Sequence, residues 1–253
     1  MTILMMIYLC SYIAKVSVPL FERSPWTELP LLMGLDEAGL DQWFAELEAR
    51  PSPRVIKSHL PFELLPPDLA TTGKVIFCCR NVRDQAVSFY HHERLLAQHG
   101  LVTEHFPDYA REIVRPGLQV YGDYWAMLRS GWARRHQPNV LFLWYEDMKA
   151  DQPGVIRQIA QLAGVSLTHQ QMVDIHRTMQ FSNYQKVSSL NQGGKQAGWV
   201  PGRGQFVRKG VVGDHVNHFT PELSREWDTW CRDNLDSIGI TDKRIRAMFS
   251  LES

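Results

Sequence analysis

Two short, continuously apolar runs constrain this chain more than any other feature. Lys74–Cys79 reads KVIFCC between Gly73 and Arg80, and Val140–Tyr145 reads VLFLWY just after Pro138-Asn139. A run of that length, β-branched or aromatic and without polar alternation, is the pattern of a strand buried on both faces. Helical spacing follows each run. Val82, Ala86 and Tyr90, then Leu95 and Leu96, lie along one stretch that Gly100 ends, and Ile156, Ile159, Ala160 and Ala163 share a face after the second strand. Further helices are predicted over Tyr121–Arg135, through HQQMVDIHRTM, and from Pro221 to Leu235, where proline stands in the first turn. Strands alternating with helices imply an α/β fold with a parallel sheet flanked by helices. Arg54–Ile56 (RVI) reads as a further short strand leading into KSHLP. The section holding Pro107 and Pro116, and the glycine-rich Lys186–Gly204, read as loops.

Composition narrows the function classes. The 253 residues carry 27 basic and 27 acidic side chains, so the net charge gives no bulk attraction for nucleic acid, and no nucleic-acid partner is expected. Cys10, Cys78, Cys79 and Cys231 follow neither a zinc spacing nor a disulfide framework, which fits reduced thiols and a cytoplasmic location. The opening MTILMMIYLCSYIAKVS is uncharged through Ala14, shorter than the roughly 20 residues of a membrane span. Nothing basic precedes Lys15, and SYIA is a poor cleavage signal. It reads as a buried amphipathic helix, Leu4–Ile13, and no membrane partner is expected. A single domain over residues 1–253 is the simplest division.

Three polar stretches carry chemistry. In KSHLP, a strand ending in Lys57, Ser58 and His59 places polar groups at a sheet's carboxyl edge, where open α/β sheets bind ligands. There His59 could accept a proton near neutral pH, with Lys57 on the same side to meet an anion; a structural histidine is the alternative. In CCRNVRDQAVSFYHH, Arg80 at the strand end and Ser88 on the following helix suit a phosphate. The alternative is a helix-start ion pair of Arg80 or Arg83 with Asp84, and an exposed Ser88. In FVRKGVVGDH, Arg208 and Lys209 stand beside Gly210, where the backbone can approach a ligand closely; a solvated basic loop is the alternative.

IKSHLP, CRNVRDQAVSFYHH, LFLWYEDMKADQPGVIRQIAQLAGV and FVRKGVVGDH, in that order, resemble the cytosolic sulfotransferases, as does VPLFERSPWTE over Val18–Glu28. The resemblance runs from the first residues to about Leu235. It implies the sulfotransferase fold, related to P-loop proteins, and sulfuryl transfer from the co-substrate 3′-phosphoadenosine 5′-phosphosulfate to a hydroxyl or amine of a small-molecule acceptor. On that resemblance His59 is the base, and Lys57 neutralises the sulfate and bridging oxygens. Arg80 and Ser88 grip the 3′-phosphate, completed by Arg208, Lys209 and Gly210. Tyr145 and Phe181 lie near the adenine. No metal is implied, because lysine and backbone donors can meet charge on the leaving phosphate.

The sequence departs from the family pattern in several places. No stretch matches the phosphosulfate loop of the type YPKSGTTW, and MMIYLCSYI resembles the helix that follows that loop, so the expectation is a chain beginning just past the loop and its strand. A P-loop kinase is disfavoured, since Gly193-Gly194-Lys195 lacks the earlier glycine. Met179 and Gln180 replace the usual Thr-Ser, and His215 replaces a tryptophan. Val216, Pro221 and Arg225 break the family's dimer motif, so that dimer is not expected. The competing expectation is an inactive sulfotransferase-like protein that binds the 3′-phosphate nucleotide without turnover. Phe21, Trp26, Phe62, Phe106 and Tyr109 are candidates for an apolar acceptor pocket.

Overall fold

The computed structural model describes residues 24–95, 103–114, 122–180, 182–183, 200 and 202–249. The amino-terminal helix expected over Leu4–Ile13 and the adenine contact expected of Phe181 lie outside these residues. Along the chain come α1 (Leu29–Leu32), α2 (Glu37–Glu48), α3 (Leu69–Thr72), β1 (Val75–Cys79), α4 (Val82–Glu93), α5 (Phe106–Ile113) and α6 (Tyr124–Arg134). They are followed by β2 (Val140–Trp144), α7 (Tyr145–Ala150), α8 (Gln152–Ala163), α9 (His169–Met179), α10 (Pro221–Ile238) and α11 (Lys243–Phe249).

The two apolar runs pair in parallel, with Val75 opposite Val140 and Cys79 opposite Trp144. Side chains alternate across a strand, and this sheet shows the alternation directly. Phe77, Cys79, Phe142 and Trp144 face a core with Val82, Trp125, Leu128, Leu223 and Trp227. Ile76, Cys78, Leu141 and Leu143 face a second core with Ile156, Ile159 and Ile175. Helices therefore cover both faces, as the continuous apolar runs require. Helix starts follow local chemistry. Asp123 accepts hydrogen bonds from the Trp125 and Ala126 amides, and Thr168 with Gln171 forms a capping box. Thr220 caps α10 ahead of Pro221.

Four expectations change. RVI forms no strand among the described residues: Ile56 is exposed, and only Lys57 bridges, in parallel, to Trp26. Prolines at 51 and 53 leave that approach without the donors a ladder needs. Pro107 begins helix α5 rather than a loop, because its missing N–H falls where a helix has no acceptor for it. Val75 to Cys78 are half-buried and only Cys79 is buried; among the described residues β1 is paired along one edge. Finally, α2 and α11 carried no clear sequence signal. Fully buried Arg83 donates to the Phe249 carbonyl and pairs with Asp228, which secures the end of α11 against α4.

Gly131 shows how closely α6 lies on the sheet. A Cβ there would stand 2.4 Å from two Phe77 ring carbons. That ring is stacked between Phe62 at 6.0 Å and Phe142 at 5.3 Å, so it has nowhere to turn. Gly131→Ala is expected to lose stability, since overpacking at about 1–3 kcal/mol exceeds the helix-propensity gain of about 1 kcal/mol. A thermal melt checks this; an unchanged or higher Tm would show that the ring yields freely.

Candidate active site

Arg80 leaves the carboxyl end of β1 and lies over the Tyr145 ring, which begins α7 at the end of β2, with the guanidinium 4.4 Å from the ring centre. Its Nη2 donates to Asp84 Oδ2 at 3.1 Å and to the Val211 carbonyl at 2.8 Å. Tyr124 fixes the backbone beneath by donating its hydroxyl to the Arg80 carbonyl at 2.8 Å. The parallel pairing of β1 with β2 thus puts Arg80 and Tyr145 together, and α4 adds Asp84 one turn on. Arg80 Nε and the Tyr145 hydroxyl are buried and have no hydrogen-bond partner among the described residues.

Asp84 organises the other half of the site. Its carboxylate accepts from the Gly213 amide at 2.7 Å, the His215 amide at 3.0 Å and the His215 ring Nδ1 at 2.9 Å. Burial opposes its ionisation, but the His215 ring, the Arg80 charge and the two amides outweigh it and hold the carboxyl down to about 2. Asp214 repeats the pattern one residue before His215. Arg208 Nη2 reaches it at 2.5 Å and Lys209 Nζ at 2.8 Å, with Asn217 donating at 3.1 Å. Although burial pushes the other way, Lys209, Arg208 and Asn217 keep the Asp214 carboxyl well below the usual range. Gly210 (φ 65°) and Gly213 (φ 81°) both take left-handed backbone, the conformation that favours glycine, and this turns the loop back onto α4.

The KSHLP stretch forms a second cluster. Lys57 N–H donates to the Pro25 carbonyl at 2.9 Å, and the Lys57 carbonyl accepts from Thr27 N–H at 3.0 Å. The Lys57 ammonium lies 4.4 Å from the Trp26 ring centre, and the His59 ring meets Trp26 edge-on at 4.5 Å. Burial lowers the Lys57 pKa to about 8, with the Glu28 charge acting in the opposite sense. Burial first, then, among the described residues, the charges of Lys57 and His92 push His59 down to about 3, so its ring is neutral at pH 7. His92 lies near the end of α4 and packs against Phe206 at 5.4 Å between ring centres. It thereby links this cluster to the approach of the RKG loop.

The structure brings Arg80, Tyr145 and the Arg208–Gly213 loop together through the two carboxylates, and Lys57 with His59 around Trp26. The ion pair of Arg80 with Asp84 and an exposed Ser88, the alternative read from the sequence, are both present. Phe106 and Tyr109 are buried in the core, Tyr109 also lining a small surface pocket with Phe89, Glu93, Glu112 and Ile113, and Phe62 stacks on Phe77. Among the described residues, Trp26 is the acceptor-pocket candidate beside His59, and Phe21 lies outside them. Sequence reasoning missed Glu28, Asp214 and His215 as organisers. Asp214 alone had a local cue, lying five residues after Lys209. Among the described residues no group of histidines, cysteines and carboxylates could hold a metal, and no helix is long and apolar enough to cross a membrane.

Since Asp84 is held near 2 against its ordinary 3.8, its ionised form stabilises the fold fully above about pH 4 and loses that contribution as pH falls toward 2. The side chain is wholly buried. The stability gap between the wild type and Asp84→Asn is therefore expected to shrink by about 2 kcal/mol from pH 5 to pH 2. Urea melts across that range test this, and a gap independent of pH would refute it.

Comparison with known proteins fits this geometry. A family model described as the sulfotransferase domain matches residues 2–239. Sulfotransferase 1C2 of Oryctolagus cuniculus is 30% identical over 220 residues, covering 85% of this chain and 70% of that protein. Human sulfotransferase 2A1 is 30% identical over 216 residues, covering 84% and 70%. Among solved structures, retinol dehydratase in complex with androsterone and the inactive cofactor PAP superposes with a TM-score of 0.80 at 26% identity, over 96% of this chain and 80% of that one. Mouse sulfotransferase SULT7A1 complexed with PAP gives a TM-score of 0.71 at 26% identity, over 95% and 83%. With the family model matching residues 2–239 of its 253, this chain belongs to the sulfotransferase family.

Proposed function

We propose that the site takes a 3′-phosphorylated adenine nucleotide at Arg80 and the Arg208–Gly210 loop, and that His59 and Lys57 serve sulfuryl transfer to a small acceptor. The observation that carries this reading is the meeting of Arg80 with the RKG loop at the carboxyl end of β1, where Arg80 Nε is buried and without a hydrogen-bond partner among the described residues. A buried guanidinium N–H without an acceptor fits an arriving anion, since a desolvated, unsatisfied donor costs about 1–3 kcal/mol. The relatives solved with PAP support a nucleotide of this class, and the androsterone complex supports a small apolar acceptor.

A bound phosphosulfate donor supplies the sulfuryl group. The residues of this chain have the following proposed roles. Arg208 and Lys209 meet the 3′-phosphate, with Ser88, exposed on α4, as a further hydroxyl donor. Tyr145 borders the adenine, a role that the family resemblance also gives to Phe181, outside the described residues. His59, neutral at pH 7, takes the proton of the acceptor hydroxyl as its oxygen attacks. Lys57, beside His59 through Trp26, meets negative charge on the departing oxygen. An acceptor hydroxyl approaching His59 would pass the Trp26 ring, which suits a flat or apolar body.

Calorimetry with adenosine 3′,5′-bisphosphate is expected to show binding by the wild type and, for Arg208→Ala, a loss of roughly 10- to 100-fold in affinity, the range of a charged hydrogen bond. Adenosine 5′-monophosphate is expected to bind both proteins alike. Equal loss for the two nucleotides would remove Arg208 from the 3′-phosphate. His59→Ala is expected to abolish transfer to a phenol while bisphosphate binding persists. Loss of binding as well would reassign His59.

A further inference from the structure

We propose that Glu28 is the positioning residue for His59: it fixes the turn through Ser58, His59 and Leu60 and keeps the ring proton on Nδ1, leaving Nε2 to accept a proton. This rests on the proposed role of His59 as the base. Glu28 is buried at 8% exposure. Its Oε1 accepts from the Ser58 hydroxyl, from the His59 amide at 2.8 Å and from the Leu60 amide at 3.2 Å. Three donors from consecutive residues on one carboxylate oxygen fix where the His59 Cα stands. The second oxygen, Oε2, lies 3.9 Å from His59 Nδ1 and accepts no hydrogen bond among the described residues.

Which ring nitrogen of a neutral histidine carries the proton is set by the partner of the other. A carboxylate can only accept, so facing Nδ1 it favours N–H at Nδ1 and a lone pair at Nε2. The 3.9 Å separation is an ion-pair distance that a small turn of the ring shortens to a hydrogen bond, and catalytic contacts of this kind are often loose before substrate arrives. Trp26 packs edge-on against the same ring at 4.5 Å between ring centres. Among the described residues, the other charged or titratable groups acting on the ring are Lys57 and His92, both of which disfavour an imidazolium. Glu28 is the carboxylate facing the ring that opposes them once Nε2 has taken a proton.

The test is a long-range proton–nitrogen correlation spectrum of the full, nitrogen-15-labelled chain at pH 7, with His59 assigned by its absence in His59→Ala. The wild type is expected to show N–H at Nδ1. Glu28→Gln is expected to move the proton to Nε2, while the His59 and Leu60 amides keep their protection from exchange, because the glutamine oxygen still accepts from them. Glu28→Ala is expected to lose both features; if it fails to fold, Glu28→Gln decides alone. A wild-type proton on Nε2, or one that stays on Nδ1 in Glu28→Gln, would overturn the proposal. Neither reading needs turnover. Absence of sulfuryl transfer by the wild type would therefore count against the proposed function and leave the role of Glu28 decided separately.

Discussion

The carboxylate of Asp84 is the constraint from which the site follows. With no exposed surface of its own, an ionised group at that position is sustained only by donors. Arg80 comes from the end of β1, and the Gly213 amide arrives 129 residues later in the chain together with the amide and ring of His215. A loop that sequence distance would leave free is thereby docked onto the first turns of α4. Where the family has a tryptophan, His215 supplies one of the donors, so this departure is built into the pairing of Asp84.

Glu28 does for the KSHLP stretch what Asp84 does for the RKG loop. In each case one buried carboxylate accepts several donors from a segment remote in sequence and sets the position of a cationic or basic side chain. The two arrangements share α4: Arg80 and Asp84 flank its start, and His92 near its end acts on His59. A single helix, held at its beginning by Asn81 and by Arg83 reaching α11, is the common platform.

Those features of the fold that depend on local physics were legible in the sequence. β1 and β2 announced themselves as short apolar runs because both faces of the sheet are covered, and α6, α9 and α10 were read from the stretches Tyr121–Arg135, HQQMVDIHRTM and Pro221–Leu235, the last with its first-turn proline. Arg80, Lys57, His59 and the RKG loop were found by residue type at strand ends and by family resemblance. What stayed hidden depends on distance or on context. Pro107 reads equally as a loop or a helix start until its neighbours are placed. RVI has strand composition but no ladder to join among the described residues. Glu28 contacts residues about thirty positions away, and no periodicity or motif connects a lone glutamate to a histidine at that separation.

The prior pairing of Arg208 and Lys209 with Asp214, and of Arg80 with Asp84, has a consequence for recognition. The basic site is partly self-neutralised, three cations against two carboxylates, so its long-range field is reduced and contributes less to steering anions from solution. Discrimination then falls on the last few ångströms, where an anion must match donor directions well enough to compete with a carboxylate already in place. A site of this construction rejects diffuse or poorly shaped anions by exchange rather than by exclusion, and stays folded around its own cations between encounters.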